Sequence, residues 1–564
     1  MNLHGPKSVS AATTPNSFGA IVIGAGHNGL ICAAYLAKAG IRTLVVEARA
    51  TVGGCASTEV ALGGASVNIC NCDHAMIRST PIGEELGLAD HGLTYLDVDP
   101  TYAYQHWDGG EAWFLFHDVE RTLESLRISY PGEVDNYRRY LREASPVARM
   151  VLEIGQDTPT PGAVVRKSAV HARRASKALP TLLRWSKRSV GDVVRSFFDA
   201  PQLQSGVVST GPSVWGLSPD FPNTGLGALG YAFRHAVQIG RPRGGSGALT
   251  DSIASAFVAS GGTLRVQTKV SRILCDGDRV VGVEVGRHNA DGEAAEEIYA
   301  PIVVVATDPR VAMVEWLSKV PTRAQPMVDR YRTMPVHDGY ESKIDAVLSE
   351  TYRARGFSDR LLNGLNLTEH DSLLPSLVVS PSLQQLALDH HLGQQGRIAE
   401  RPQFFIQMPS ALDPVVGAKL QPGSHVFSLE VLWTPYELAG GWATSDEPKR
   451  WLRKVSELVE TQSGRPFHET VVDWRLMSPR EYETQFFMHR GHAVAFSGTP
   501  ITALLGTNRE QSRYETPIDG LFLTGAATFP GAGIWGASGR NAASIVLQSD
   551  RRRARLIRAV VPKR

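Results

Sequence analysis

FGAIVIGAGHNGLICAAYLAKAGIRTLVVEARATVGGCAST, running from Phe18 to Thr58, is the stretch whose reading decides the fold. Ala20 to Ile23 is a short apolar run of β-branched type that ends at Gly24, Gly26 and Gly29, which reads as a buried strand stopping at a tight turn. Asn28 to Ala39 is a small-residue helical segment closed by Gly40, and Thr43 to Val46 is a second apolar strand ending in Glu47. Strand, turn, helix, strand and acid in this register make a βαβ unit that holds a dinucleotide. Gly24 makes the turn, Gly26 lets backbone approach a pyrophosphate, and Gly29 brings the helix close to the sheet. The helix start at Asn28 offers unpaired amides and a positive dipole end to the phosphates, and Glu47 is placed to accept both ribose hydroxyls.

Outside this unit, 564 residues exceed one simple core and predict about two domains. A hydrophobic fraction of 43% and a charged fraction of 20% are those of a soluble globular protein. A formal charge of +2 gives no strong global field, so no nucleic-acid partner is expected. Cys32, Cys55, Cys70, Cys72 and Cys275 contain no CxxC pair and read as buried thiols, so no metal site and no disulfide framework is expected. No apolar run reaches the roughly 18 residues that cross a bilayer, and the polar residues 1–17 read as a loose tail. Cytoplasm is the default location. HExxH, GxSxG and Walker patterns are missing, which removes support for metalloprotease, hydrolase and P-loop chemistry.

Along the chain, 18–67 forms the first part of the dinucleotide domain, and residues 68–243 change to aromatics, prolines and mixed helices, as expected of a substrate domain. Within it, 164–198 is strongly basic with interleaved apolar residues, including Trp185. Such helices either lie in a membrane interface or are the solvated faces of helices covering a cavity. At 244–308 the glycine turn, helix and strand pattern returns, so the dinucleotide domain is discontinuous. Residues 309–490 revisit the substrate domain, where the runs around Phe404–Met408 and Val426–Trp433 are expected to be mostly sheet core, with about a third of their side chains flooring an apolar pocket. The third part, 491–550, carries the strand at Gly520 to Thr524, a glycine-rich loop and a small-residue helix, before a basic tail at 551–564.

Glu47, Arg49, Gly53, Gly54 and Ser57 continue the first motif as ExRxxxGGxxS. With GAGHNGL, QMPSALDP, VFSLEVLWTPYEL, YETPIDGLFLTGA and GAGIWGASGRNAA, this resembles the phytoene desaturase-related oxidoreductases of the amine oxidase superfamily. The branch it is most similar to is that of the pyridine nucleotide-disulphide oxidoreductase domain-containing proteins. The resemblance covers most of the chain and implies noncovalent FAD rather than NAD, with a discontinuous Rossmann-like α/β FAD-binding domain and an α+β substrate domain over the flavin. The cofactor residues it implies are Gly24, Gly26, Asn28, Gly29, Glu47, Ala48, Arg49, Gly53, Gly54, Cys55, Ala56, Ser57 and Val270, then Gly525, Ala526, Ile534, Trp535 and Gly536. The helix that follows Gly536 is expected to turn its amides toward the flavin edge that becomes anionic on reduction. Two departures matter: Phe529 stands where many relatives have a histidine, and Ala526 where amine oxidases place an aspartate.

The resulting expectation is an FAD-dependent oxidoreductase that moves a hydride from a carbon of a largely apolar substrate to flavin N5, leaving a double bond. Oxygen or a quinone would take the electrons. Acid/base candidates are His74, His235 and Tyr231, and Trp535 or Phe529 could line the flavin face. Amine oxidation, a redox-neutral FAD isomerase and a noncatalytic carrier like the GDP-dissociation inhibitors stay open, as does a homodimer. Peripheral membrane contact would run through 164–198.

Overall fold

A computed structural model describes residues 17–70, 72–160, 162, 178–209, 216–287, 295–317, 319–335, 341–492, 496 and 506–560, with side chains as far as 550. Ala20–Ile23 and Thr43–Val46 are buried along their length and pair in parallel, Ile21 opposite Leu44 and Ile23 opposite Val46. They are the middle of a five-stranded parallel sheet in the order Leu521–Leu523, Val303–Val305, Ala20–Ile23, Thr43–Val46, Thr263–Arg265. Three distant stretches of chain therefore build one α/β sheet. Its strands are continuous apolar runs because both faces are covered. Ala20, Val22 and Val45 pack with the helices His27–Lys38 and Gly247–Ala259, whereas Ile21, Ile23, Leu44 and Val46 pack beneath a separate antiparallel sheet of Thr268–Asp276, Arg279–Arg287 and Glu296–Tyr299. The helix His27–Lys38 approaches so closely that a Cβ on Gly29 would stand 2.1 Å from the Gly24 carbonyl oxygen.

The substrate domain is α+β. Its seven-stranded sheet runs Val471–Met477, Glu341–Leu348, His425–Leu432, Phe404–Gln407, Ser376–Ser380, Tyr102–His106, Trp113–Leu115. Register fixes which side chains share a face. Lys343 opposes Glu430, which opposes Phe405; Phe405 opposes Val378, which opposes Tyr104. The other face holds Ile344, Phe427, Leu429, Val431, Phe404 and Ile406 in a core with Trp451 and Phe467. Most of the two apolar runs is sheet core, as expected, and the floor they contribute to is only partly apolar. Of the two apolar runs, Phe405 and Leu432 reach the cavity, while Phe404, Ile406, Met408, Phe427, Leu429 and Val431 belong to the core behind. The two-residue period of a strand sends alternate side chains to opposite faces, and here the cavity face carries charge.

The helices Val134–Gly155, Ala178–Trp185, Val190–Arg195, Pro201–Val208 and Gly230–Ala236 close over that face around Tyr137, Tyr140, Trp185, Phe198 and Tyr231. In the described part of the basic region, Leu182, Trp185, Val190, Val193, Val194 and Phe197 point into this core. Leu179 and Leu183 stay exposed, and Arg184 and Arg195 pair with Glu143 and Asp220. Arg166, Lys167, Arg173, Arg174 and Lys177 lie outside the described residues. The last helix spans Ala537–Val560 and so continues through the start of the expected basic tail, since the arginines of 551–558 are good helix formers and no glycine or proline stops it there.

Candidate active site

A cavity of about 850 Å³ lies between the two sheets, near the upper end of the usual range for ligand pockets. One end is the dinucleotide motif. Gly24, Gly26, Asn28, Gly29, Glu47, Ala48, Arg49, Gly53, Gly54, Cys55, Ala56 and Val270 all line it, as do Gly525, Ala526 and Ile534 from the C-terminal strand and loop. The Gly53 amide donates to the Ala25 carbonyl at 2.8 Å, which ties the double-glycine loop to the first turn. A Cβ on Gly26 would meet no protein atom within 4 Å, so the missing side chain leaves open space on the cavity side of a helix N-terminus. An anionic pyrophosphate suits that space. Glu47 is buried; its carboxylate accepts from the amides of Ala25 at 2.8 Å and Arg49 at 2.9 Å. Each carboxylate oxygen has a second lone pair, so diol recognition is still available to it. Arg49 is held by Glu59 at 2.6 Å and stacks 3.9 Å from the ring centre of Phe486. These features fit an FAD molecule.

The other end is the sheet face with Tyr102, Phe405, Glu430, Leu432 and Glu341, joined by Asp73 and Arg234. Lys343 is engaged by Asp345 and donates to the Asn68 carbonyl at 2.7 Å, and Asp345 also accepts from Arg475 at 3.1 Å. Asp73 pairs with Arg241 at 2.7 Å and accepts from Ser376 and Gln407. Glu341 and Glu430 differ: both are buried, neither is in an ion pair among the described residues, and Oε1 of each has no hydrogen-bond partner. Burial pushes both carboxyls well above the usual carboxylate range; the Cys70 thiol beside Glu341, and Glu341 beside Glu430, push further the same way. His27, also in the wall, accepts from the Asn28 amide at 3.0 Å, and burial pulls its pKa down to about 4, so it is neutral.

The remaining sequence candidates lie off the wall. Ser57 is buried behind it, its hydroxyl donating to the Gly54 carbonyl at 2.6 Å. Trp535 packs over Gly155 in the helical core, and Gly536 faces Ile31, Ile77 and Ile82, so the last helix turns its start to apolar side chains and the loop residues Ala532, Gly533 and Ile534 form the wall. The Ser538 hydroxyl, bound to Thr524 and Thr528, accepts from the Gly525 amide at 2.9 Å. Phe529 sits edge-on to Phe496 with 6.0 Å between ring centres. His74 is fully buried at the junction of the domains, its ring nitrogens bonded to Tyr95 at 3.0 Å and Ser246 at 2.9 Å. His235 is bonded to Tyr137 at 2.8 Å, and the Tyr231 hydroxyl donates to the Leu203 carbonyl at 2.8 Å inside an aromatic cluster. Each is a satisfied structural group. Glu341, Glu430, Arg234, Tyr102 and His27 are among the cavity residues that the sequence reading missed. A signal for the first two existed: in ESKIDAV and FSLEVL, charges occupy alternate positions of otherwise apolar strands.

A dinucleotide-holding parallel sheet joined by one cavity to a second domain's sheet floor defines an FAD-dependent oxidoreductase of two domains. The family model described as flavin containing amine oxidoreductase matches residues 29–340, more than half of the chain, and the chain belongs to that family; its cofactor is FAD. The chain is similar to pyridine nucleotide-disulfide oxidoreductase domain-containing protein 2 of Rattus norvegicus, with 25% identity over 94% of this chain and 93% of the relative. It is 25% identical to a lycopene-forming phytoene desaturase from a Paracoccus species, over 98% of this chain and 99% of that one. Among solved structures, a triple mutant of putrescine oxidase superposes with a TM-score of 0.59 at 16% identity, covering 96% of this chain and 99% of that chain, which shows the shared fold.

Proposed function

We propose that the chain catalyses an FAD-dependent dehydrogenation in which a hydride leaves one carbon of a largely apolar substrate and a proton leaves its neighbour, forming a double bond. The observation that carries this reading is one cavity with glycine loops at one end and, at the other, Phe405, Leu432 and two buried carboxyls that form no ion pair among the described residues. Gly24, Gly26, Asn28, Gly29, Gly53 and Gly54 would hold the pyrophosphate, Glu47, Ala48, Arg49 and Val270 the adenosine half, and Cys55, Ala56, Gly525, Ala526 and Ile534 the flavin half. Noncovalently held FAD supplies the hydride acceptor, and oxygen or a quinone takes the electrons on.

Phe405 and Leu432 hold the substrate's apolar body and exclude water. Glu430 takes the departing proton; the same burial that opposes its ionisation makes its carboxylate a strong base once formed, with Glu341 beside it. This role replaces the one given to His74, His235 and Tyr231, whose ring and hydroxyl atoms are committed elsewhere. The two buried carboxyls also support a second reading, oxidation of an amine whose ammonium they would neutralise. Peripheral membrane contact, which would deliver apolar substrates, would use Leu179 and Leu183 among the described residues.

The test is anaerobic mixing of the purified holoenzyme with apolar alkenes and with secondary amines. Loss of flavin colour matched by a product lighter by two hydrogens supports dehydrogenation, and the class that bleaches it separates the two readings. Turnover without bleaching and without mass change would refute both and indicate an isomerase.

A further inference from the structure

Arg234 is a charged cavity residue that neither the cofactor loops nor the proton step uses. It stands on the helix Gly230–Ala236, its guanidinium 4.8 Å from the ring centre of Tyr102, and its Nη2 donates to the Tyr102 hydroxyl at 3.3 Å. Its Nε is buried without a partner, and no carboxylate pairs with it among the described residues. The neighbouring acid, Asp73, is already paired with Arg241. Two further groups here lack partners: Nη1 of Arg241 and the hydroxyl of Tyr104, which stacks 6.0 Å from Tyr102. Two guanidiniums thus stand beside one carboxylate, and of the two it is Arg234 that lines the cavity. A guanidinium in a cavity wall with no carboxylate to balance its charge is costly to desolvate, so an anionic ligand is the natural complement.

The place of this cluster in the sheet gives the ligand's length. Tyr102 lies on the strand three places from that of Glu430, with the strands of Phe405 and Ser376 between. Three strand spacings span about 14 Å. Phe405 supplies an apolar surface along the way.

We propose that Arg234, with Tyr102, is the anchor for a carboxylate at one end of the substrate, so that the substrate is an elongated apolar acid whose anionic group sits at Arg234 and whose chain runs over Phe405. The placement of the reacting carbon near Glu430 rests on the dehydrogenation reading above; the anchor itself does not. The guanidinium fork takes a carboxylate through two parallel hydrogen bonds, which an alcohol or ester cannot match.

The experiment titrates the purified holoenzyme with decanoate, decanol, methyl decanoate and decylammonium, followed by the change in flavin absorption and by calorimetry. Decanoate is expected to bind at least about tenfold tighter than decanol or the ester, as loss of a charge-assisted hydrogen bond implies. R234M should abolish that preference while leaving decanol binding and flavin content unchanged, and R234K should keep part of it. Equal affinity for decanoate and decanol, a preference that survives R234M, or tightest binding of decylammonium would each overturn the anchor. The ligand comparison on unaltered enzyme decides the matter even if R234M does not fold. A bound acid that is never dehydrogenated would count against the proposed reaction and leave the anchor standing.

Discussion

Two alanine substitutions three residues apart, at Gly26 and Gly29, should have opposite effects, because the two glycines do different jobs. Gly26 has φ of −67° and ψ of 165°, a conformation that alanine adopts without strain, and its Cβ would point into open cavity. G26A should therefore change the stability of the flavin-free protein by no more than about 1 kcal/mol. In the loaded protein the same methyl stands where the pyrophosphate approaches. Displacing one charge-assisted amide-to-phosphate bond costs about 1.5–3 kcal/mol, roughly a tenfold to 150-fold loss in FAD affinity. G29A inverts the pattern: its Cβ would lie 2.1 Å from the Gly24 oxygen and 2.9 Å from the Ala306 Cβ, both at the meeting of helix and sheet. Neither can yield without opening that interface, so the flavin-free fold should lose at least about 3 kcal/mol, the upper end of overpacking costs. The assays are thermal or denaturant unfolding of flavin-free protein and FAD titration by fluorescence quenching. G26A protein that binds FAD as tightly as the unaltered chain would refute the placement of the pyrophosphate, and G29A protein of unaltered stability would refute the close-approach argument.

Further expectations concern the floor and the junction. E430Q should lower the turnover number by roughly 10²–10⁴ without changing flavin content, and should remove the rise of rate with pH that comes as the upward-shifted carboxyl ionises; an unchanged pH–rate profile would exclude Glu430 as the base. K343M breaks a fully buried pair with Asp345 and should cost about 3 kcal/mol in denaturant unfolding, the low end for such pairs because Arg475 still meets Asp345; a neutral result would refute the pair as a stabilising contact. His74 is held to a pKa of about 3 by burial, against 6.5 in the unfolded chain. Above pH 6.5 both states are neutral, and below it only the unfolded chain takes the proton, so stability is lost as pH falls. From pH 7 to pH 5 that loss is about 2 kcal/mol, and H74Q, which cannot titrate, should narrow its stability gap to the unaltered protein by that amount. A gap independent of pH would show that His74 titrates normally.

The parallel sheet was legible because its information is local: an apolar run, three glycines and an acid within Phe18 to Thr58 state both the fold and the ligand class. The return at Gly244 and the strand at Leu521 repeat that pattern, so the discontinuity of the domain could also be read. The floor could not be read as directly. It is assembled by register across strands from two separate parts of the chain, and which face of Phe404–Gln407 meets the cavity depends on the partner strands, not on the run itself. His74, His235 and Tyr231 attracted notice for their chemistry, yet each spends its polar atoms on neighbours that no local pattern reveals. Trp535 and Gly536 were displaced for a similar reason, since the crossing of the last helix over His27–Lys38 sets where its first turn points.

The central claim is that this cavity holds FAD beside a floor that does redox chemistry, and the absorption spectrum of the purified protein tests it most directly. The expected result is a yellow protein with about one flavin per chain, released intact as FAD by heat as noncovalent binding requires. A colourless protein that takes up no flavin when FAD is added would contradict it.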